Sequence, residues 1–305
     1  MTANIDFQHI TRCSSEAIES LIDLQKVARR IYPKSAAEML ETIRLLRAAS
    51  KFSLPDNGVL LDLKDYRPDY AGMLRLPYPI VTLEFAMSWP TAEGALPSSK
   101  SIVMAWSDDA QTTFKVKTAT PAVIYFTHVW FDDEQSAWEP SPVVWGFDPR
   151  ELAKGEDGEF VMTGFHHFPC HPEAYERLSQ EDINRDLEIS FRPLLEFCLT
   201  VNCENIKTTV LTPPEKLAKK RIKNNREPFY SYHVLLLPGG GEGESTIGQF
   251  GREGPRVHWR RGHLRRLQSG NVIWVRHTLV GSPEMGLVNK AYAVVANPAN
   301  SDHVL

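Results

Sequence analysis

Cysteine is scarce, with four residues (Cys13, Cys170, Cys198 and Cys203) in a chain of 305. At that number and irregular spacing they exclude a disulfide framework, and free thiols in a reducing compartment are expected. Long apolar runs are missing as well. The longest, such as Pro121 to Phe131, stop far short of the roughly 20 residues a membrane-spanning helix needs, so no membrane span is expected. Met1 to Thr11 includes Asp6 and has neither a basic start nor an apolar stretch, which excludes a secretory leader and makes a cytoplasmic location the expectation. The segment Pro238 to Gly254 holds seven glycines but is not followed by the Gly-Lys-Ser/Thr of a phosphate-gripping loop. It reads as a connector. No internal repeat is visible.

What is present fits a globular protein: 42% apolar, 10% aromatic and 24% charged residues. The formal net charge of −4 conceals an asymmetry. From Lys207 to Lys290 there are 15 Lys and Arg against 6 Asp and Glu, leaving 19 against 32 in the rest of the chain. A basic end on an acidic body suggests a surface that faces a polyanion.

The periodicity predicts an α+β protein: an N-terminal helical hairpin (1–54), a central, mostly antiparallel sheet with a kinked helix (55–237), and a glycine-rich loop with a basic C-terminal β region (238–305). The first helix, near Ser15 to Ile31, places Ala17, Leu21, Ala28 and Ile31 on one side and ends before Pro33. The second opens on a capping box, Ser35 and Glu38, and aligns Ala36, Met39, Leu40, Ile43 and Leu46. Strands are expected at Val59 to Leu63, Ile80 to Met87, Ile102 to Trp106, Ala122 to Phe131, Phe160 to Phe165, Ile206 to Leu211 and Tyr230 to Leu237. A helix over Gln180 to Leu199 contains Pro193, which removes one backbone bond and should kink it.

The densest chemistry lies in Arg256-Val-His-Trp-Arg-Arg-Gly-His-Leu-Arg-Arg-Leu267. A tight turn at Arg261-Gly262 would set Trp259 opposite Leu264, Arg260 opposite His263 and His258 opposite Arg265. One face is then apolar and the other carries His258, Arg260, His263 and Arg265, with Arg256, Arg266 and Arg276 nearby. Like charges about 5 Å apart cost roughly 0.8 kcal/mol per pair in water. No acid occurs between Arg256 and Thr278 to relieve this, which points to a bound anion, and arginine's planar fork suits phosphate. Lys216, Lys219, Lys220 and Lys223 fall on one face of a short helix after Pro213-Pro214, a second basic element.

The pattern Arg256-x-His258-x-Arg260-Arg261-Gly262-His263, then the Trp274 strand and Gly286-x-Val288-x-Lys290-x-Tyr292, resembles a family of phage and plasmid proteins that includes a type V-A anti-CRISPR protein. The likeness extends upstream through Leu194-Leu195-Glu196-Phe197-Cys198, Asn205-Ile206 and Pro228-Phe229-Tyr230, covering roughly Asp182 to Val295. Leu264 stands where the anti-CRISPR member has tryptophan. The resemblance implies a regulator in a bacterial host cell that acts after transcription on the synthesis of a target, with RNA or a ribosome–nascent chain complex as partner and no cofactor. A protein target of the host is a further partner it allows.

Three other chemistries are open to the residues. His258, His263 and His277 suit acid/base cleavage of RNA beside arginines. The cluster His166, His167, Cys170 and His171 has metal-type ligands but lacks a second pair unless Cys198 and Cys203 converge on it. Glu84, Asp108, Asp109, Asp132, Asp133 and Glu134 are expected to solvate strand ends. A basic face meeting an acidic protein partner is the remaining alternative.

Overall fold

The structure, a computed structural model, describes residues 7–61, 68–87, 98–114, 123–151, 153–154, 160–161, 165–237, 256–260, 263–275, 278–280 and 282–287. The protein is α+β, with a mostly antiparallel mixed sheet between two helical layers.

Helices α1 (Ser14–Ile31) and α2 (Pro33–Ala48) form the expected hairpin. Pro33 ends one helix by restricting Tyr32 and opens the next at a position where its missing N–H costs nothing. Two details differ from the expectation. Ser35 does not cap α2, because the helix already begins at Pro33; its N–H and hydroxyl donate instead to Glu173. Ile31 and Leu40 are 61% and 54% exposed, since the apolar stripe that packs inward consists of Ala17, Ile18, Leu21, Ala36, Met39, Ile43 and Leu46.

The main sheet is built from β1 (Ser50–Ser53), β2 (Ile80–Ala86), β3 (Lys100–Ser107), β4 (Ile124–Asp132), β5 (Ala137–Pro140), β6 (Val143–Phe147), β9 (His166–Pro169), β10 (Lys207–Leu211) and β11 (Tyr232–Leu236). Its order is β10-β11-β1-β2-β3-β4-β6-β9, with β5 also on β4. β1 runs parallel to both neighbours, and every other pairing is antiparallel. Alternate residues point to opposite faces. Ile102, Met104, Trp106, Tyr125 and Val129 meet α1 and α2. Leu83, Phe85, Val103, Ala105 and Phe126 meet α4 (Gln180–Val201), whose Ser179–Asp182 capping box starts the helix.

Several strand assignments change. Val59 to Leu61 is not a strand: the amides of Leu60 and Leu61 donate to Glu196 of α4 at 2.5 and 2.9 Å. Residues 62–63 lie outside the described residues. Among the described residues of the Phe160 to Phe165 segment, β8 (Phe160–Val161) pairs with β7 (Ala153–Lys154), and residues 162–164 lie outside the described residues. α4 runs through Pro193 as one element. The proline ring lies against Gly58, where φ is 65° and an added Cβ would stand 2.8 Å from Pro193 Cβ.

Glu84 is the largest departure among the acids. It is fully buried in β2, where Oε2 accepts from Ser14 N at 3.1 Å, from Tyr232 Oη at 2.8 Å and from Cys13 N, while Oε1 accepts from the Ser14 hydroxyl. It therefore supplies from a distant strand the N-terminal cap that α1 lacks in its own sequence. One strand over, buried Lys51 donates to Leu46 O and Ala49 O, each at 2.6 Å, closing the C-terminus of α2. Burial brings the Lys51 ammonium down to about 8. The two opposite helix-end charges are met by opposite side chains on adjacent strands.

Candidate functional site

The C-terminal arm is pinned by its apolar side. β13 (His263–Arg266) pairs antiparallel with β14 (Val272–Val275), setting Leu264 opposite Trp274 and Arg265 opposite Ile273. Leu264, Val272 and Trp274 are buried in the core beside α4. Asn205, just past α4, donates to Trp274 O and accepts from Trp274 N, both at 2.9 Å, and Glu204 N donates to Val272 O at 3.1 Å.

Arg261 and Gly262, where a tight turn is expected, lie outside the described residues. The turn that joins β13 to β14 lies at 267–271, where Leu267 N donates to Asn271 O at 2.7 Å and Gly270 N to Leu267 O at 2.9 Å, with Gly270 at φ 88°. Only glycine takes that backbone without strain. β12 (Arg256–Arg260) consequently pairs with β15 (Thr278–Val280), Arg260 opposite Thr278 and His258 opposite Val280, and parallel with β16 (Ser282–Leu287). Both ladders keep one register, since the step from His263 to Arg260 on one arm matches that from Val275 to Thr278 on the other. His258 does not face Arg265, and Arg260 does not face His263. The two-histidine cleavage geometry loses the cross-strand pairing that supported it.

Within β13 the expected sorting holds: Leu264 points inward, Arg265 is exposed, and His263 is half-buried. The Arg265 side chain makes no hydrogen bond or ion pair among the described residues. Arg266 lies 5.4 Å from the Tyr70 ring centroid and donates to Gly270 O at 2.9 Å. Arg256, His258 and Arg260 are described by backbone alone, and Arg261, Arg276 and His277 lie outside the described residues.

The lysine helix forms as expected, α5 (Glu215–Lys223), with Lys216, Lys220 and Lys223 exposed and Lys219 paired to Glu215 at 2.5 Å. Its anchor is Arg221, which donates to Glu19 of α1 at 2.8 Å and lies 4.3 Å from the Phe229 ring centroid. α5 thus attaches on the α1 side of the sheet and β13–β14 on the α4 side. The two basic elements are not brought onto one face.

The histidine and cysteine cluster is structural in its contacts. His167 lies 4.9 Å from Trp145 and 3.0 Å from Tyr175 Oη of the short helix α3 (Pro172–Tyr175), and His171 Nδ1 is 3.2 Å from Ser35 O. Burial takes His171 down to about 4 and pushes the Cys170 thiol well up. Cys198 and Cys203 belong to the core on the other face, and burial raises each to about 12. Among the described residues no three His, Cys, Asp or Glu side chains converge, and His166 gains no such companions. Asp109, Asp132 and Asp133 accept from Ser107, Gln135 and Ser99 beside their strands, in line with the solvation reading of that group. Asp108 and Glu134 are exposed.

A constellation that the sequence did not announce lies between β3, β4 and α4. Ser101 Oγ is 2.5 Å from His128 Nε2, and His128 Nδ1 is 3.6 Å from Asp186 Oδ1. The other carboxylate oxygen, Oδ2, accepts from Trp145 Nε1 at 3.1 Å. These three residues line a cavity of about 270 Å³ with Met87, Trp130, Pro142, Leu178 and Ile189, and Arg185 at its edge. The β3–β4 register, Val103 opposite His128 and Ser101 opposite Trp130, puts serine and histidine diagonally on one face. The only linear signal is polarity out of place. His128 and Asp186 sit where the strand alternation and the helical stripe of Ile183, Leu187 and Ser190 call for core residues.

Compared with known proteins, the chain matches no family model, and no curated protein and no solved structure matches it.

Proposed function

We propose that the chain is a phage- or plasmid-encoded regulator that holds RNA, or a translating complex, on its basic C-terminal arm and so lowers the expression of a target after transcription. What supports the reading is the two-sidedness of β13: Leu264 is buried against Trp274 while Arg265 beside it is exposed and unpaired among the described residues. An arginine held out by a buried neighbour, in a stretch without a carboxylate from 256 to 278, keeps its charge for an external anion. The α5 lysines, attached across the sheet, make at most a separate contact, so the proposal rests on the arm. The resemblance to the anti-CRISPR family supplies the biological setting.

Filter binding of single-stranded RNA from about 50 to about 200 mM salt tests this. The logarithm of affinity should fall with that of salt by about 0.7 per phosphate contacted. Arg265→Ala should weaken binding to every sequence alike and lower the slope by roughly one contact. A flat salt response in the unmodified protein overturns the proposal. The same mixtures run on a gel should contain intact RNA, and a pull-down from nuclease-treated lysate that retains its partner would point to an acidic protein instead.

A further inference from the structure

We propose that Ser101, His128 and Asp186 form an acyl-transfer centre that hydrolyses a carboxylic ester whose apolar acyl group occupies the cavity above them. The argument starts from protonation. A carboxylate can only accept, so Asp186 beside Nδ1 favours the tautomer with its proton on Nδ1, leaving Nε2 bare to accept from Ser101. Asp186 is itself held by the Trp145 indole at 3.1 Å. Nucleophile, base and orienting group are thus in line, the relation by which such triads are recognised on unrelated folds. At 3.6 Å the Nδ1–Asp186 contact is longer than a hydrogen bond, as is common before substrate closes the site.

The cavity fits an apolar group. Its volume of about 270 Å³ exceeds the roughly 150 Å³ that accommodates a benzene ring. Met87, Trp130, Leu178 and Ile189 supply apolar wall, while the Ser98 and Ser141 hydroxyls are spent on Lys100 O and Val143 O. Among the described lining residues the Trp130 indole is left to face a developing oxyanion, since the Arg185 guanidinium is held by Glu181 at 3.1 Å and by Asp182 at 3.9 Å. Ser101 has no exposed surface, so substrate reaches it only as the half-buried Met87 and Trp130 give way. A slow hydrolase is the consequence.

In the first step Ser101 Oγ bonds to the ester carbonyl carbon and its proton passes to Nε2. The bond to the alkoxy oxygen then breaks, and that oxygen leaves with the Nε2 proton as free alcohol. Water next gives a proton to Nε2 and adds to the acyl carbon; Oγ leaves and takes the proton back, releasing the carboxylic acid. Asp186 is a positioning residue throughout.

The experiment uses the full chain without nucleic acid, so its outcome is independent of the RNA reading. Diisopropyl fluorophosphate should add one phosphoryl group, mapped to the peptide with Ser101, and p-nitrophenyl butyrate should be turned over. Ser101→Ala should abolish both, and His128→Gln should slow both at least tenfold. Asp186→Asn should lower kcat at least tenfold with KM held, a split that a merely structural role would not produce. Urea midpoints close to that of the unmodified chain would certify each variant as folded, and a variant that fails this is replaced by Ser101→Gly or His128→Asn. No label on the unmodified protein, label on another residue, or label without ester turnover would each overturn the proposal.

Discussion

Replacing Glu84 tests the idea that a strand residue caps α1. In Glu84→Leu the amides of Cys13 and Ser14 and the hydroxyls of Ser14 and Tyr232 lose their buried acceptor. Each unsatisfied donor costs about 1–3 kcal/mol, and relief from burying a charge offsets part of the sum, leaving a net loss of about 3–5 kcal/mol. Against a typical total of about 5–15 kcal/mol, that is a large fraction. Glu84→Gln keeps a carbonyl oxygen for the two amides and the Tyr232 hydroxyl, and its NH2 group meets the Ser14 hydroxyl, which turns to accept, so with the charge assistance gone it should lose about 1 kcal/mol. Urea unfolding at fixed slope measures both. The carboxyl is also raised by burial, against the lowering effect of its hydrogen bonds to Ser14, Cys13 and Tyr232. Over the pH window above the ordinary glutamate value, the folded chain therefore holds the proton that the unfolded chain has released. Stability conferred by the residue falls as pH rises through that window, and the glutamine variant should lack this fall. A leucine variant within about 1 kcal/mol of the unmodified protein, or no better tolerance of glutamine than of leucine, refutes the capping argument.

His171, taken from 6.5 to about 4 by burial, is neutral in the fold. Unfolded chains bind its proton first as pH falls, so stability is present above 6.5 and is lost towards about 4, by roughly 3 kcal/mol relative to the non-titrating His171→Asn; urea midpoints at pH 7 and pH 4 that move in parallel would contradict this. Asn205→Ala removes both bonds to Trp274, about 1–2 kcal/mol of local attachment. Amide exchange of β13 and β14 should quicken about tenfold while the central strands keep their protection, and unchanged exchange in β14 would count against Asn205 as the anchor.

The helices and most central strands were legible because their apolar residues recur at the right period. β1 was not: Ser50-Lys-Phe-Ser has no alternation worth the name, and it becomes a strand because β2 and β11 offer it parallel partners on both sides. Arg261-Gly262 looked like the turn because a glycine followed a basic run, yet Gly270 in Gln-Ser-Gly-Asn takes the positive φ, and the longer arm buries Leu264 against Trp274. Glu84 was read as strand-end solvation because linear sequence cannot tell that a helix 70 residues away ends without a cap of its own. Ser101, His128 and Asp186 come from two strands and a helix, and only the fold gives them a common face.

Both proposed sites hang on α4. Asp186 lies near its start, and Glu204 and Asn205, just beyond its end, hold β14; the sixteen helical residues from Asp186 to Val201 span about 22 Å. Between them Pro193 is seated on Gly58, where a side chain would meet the ring and the backbone is already left-handed. Energetic coupling over such a distance needs an element with two arrangements that each ligand favours differently. A helix capped at Ser179, tied to Leu60 and Leu61 through Glu196 and filled along its length by Leu187, Phe191, Leu194 and Leu195 has one good seat. The arm and the cavity are therefore independent sites on one rigid support, and a substitution that disables both at once reports on how α4 is seated and not on the chemistry of either.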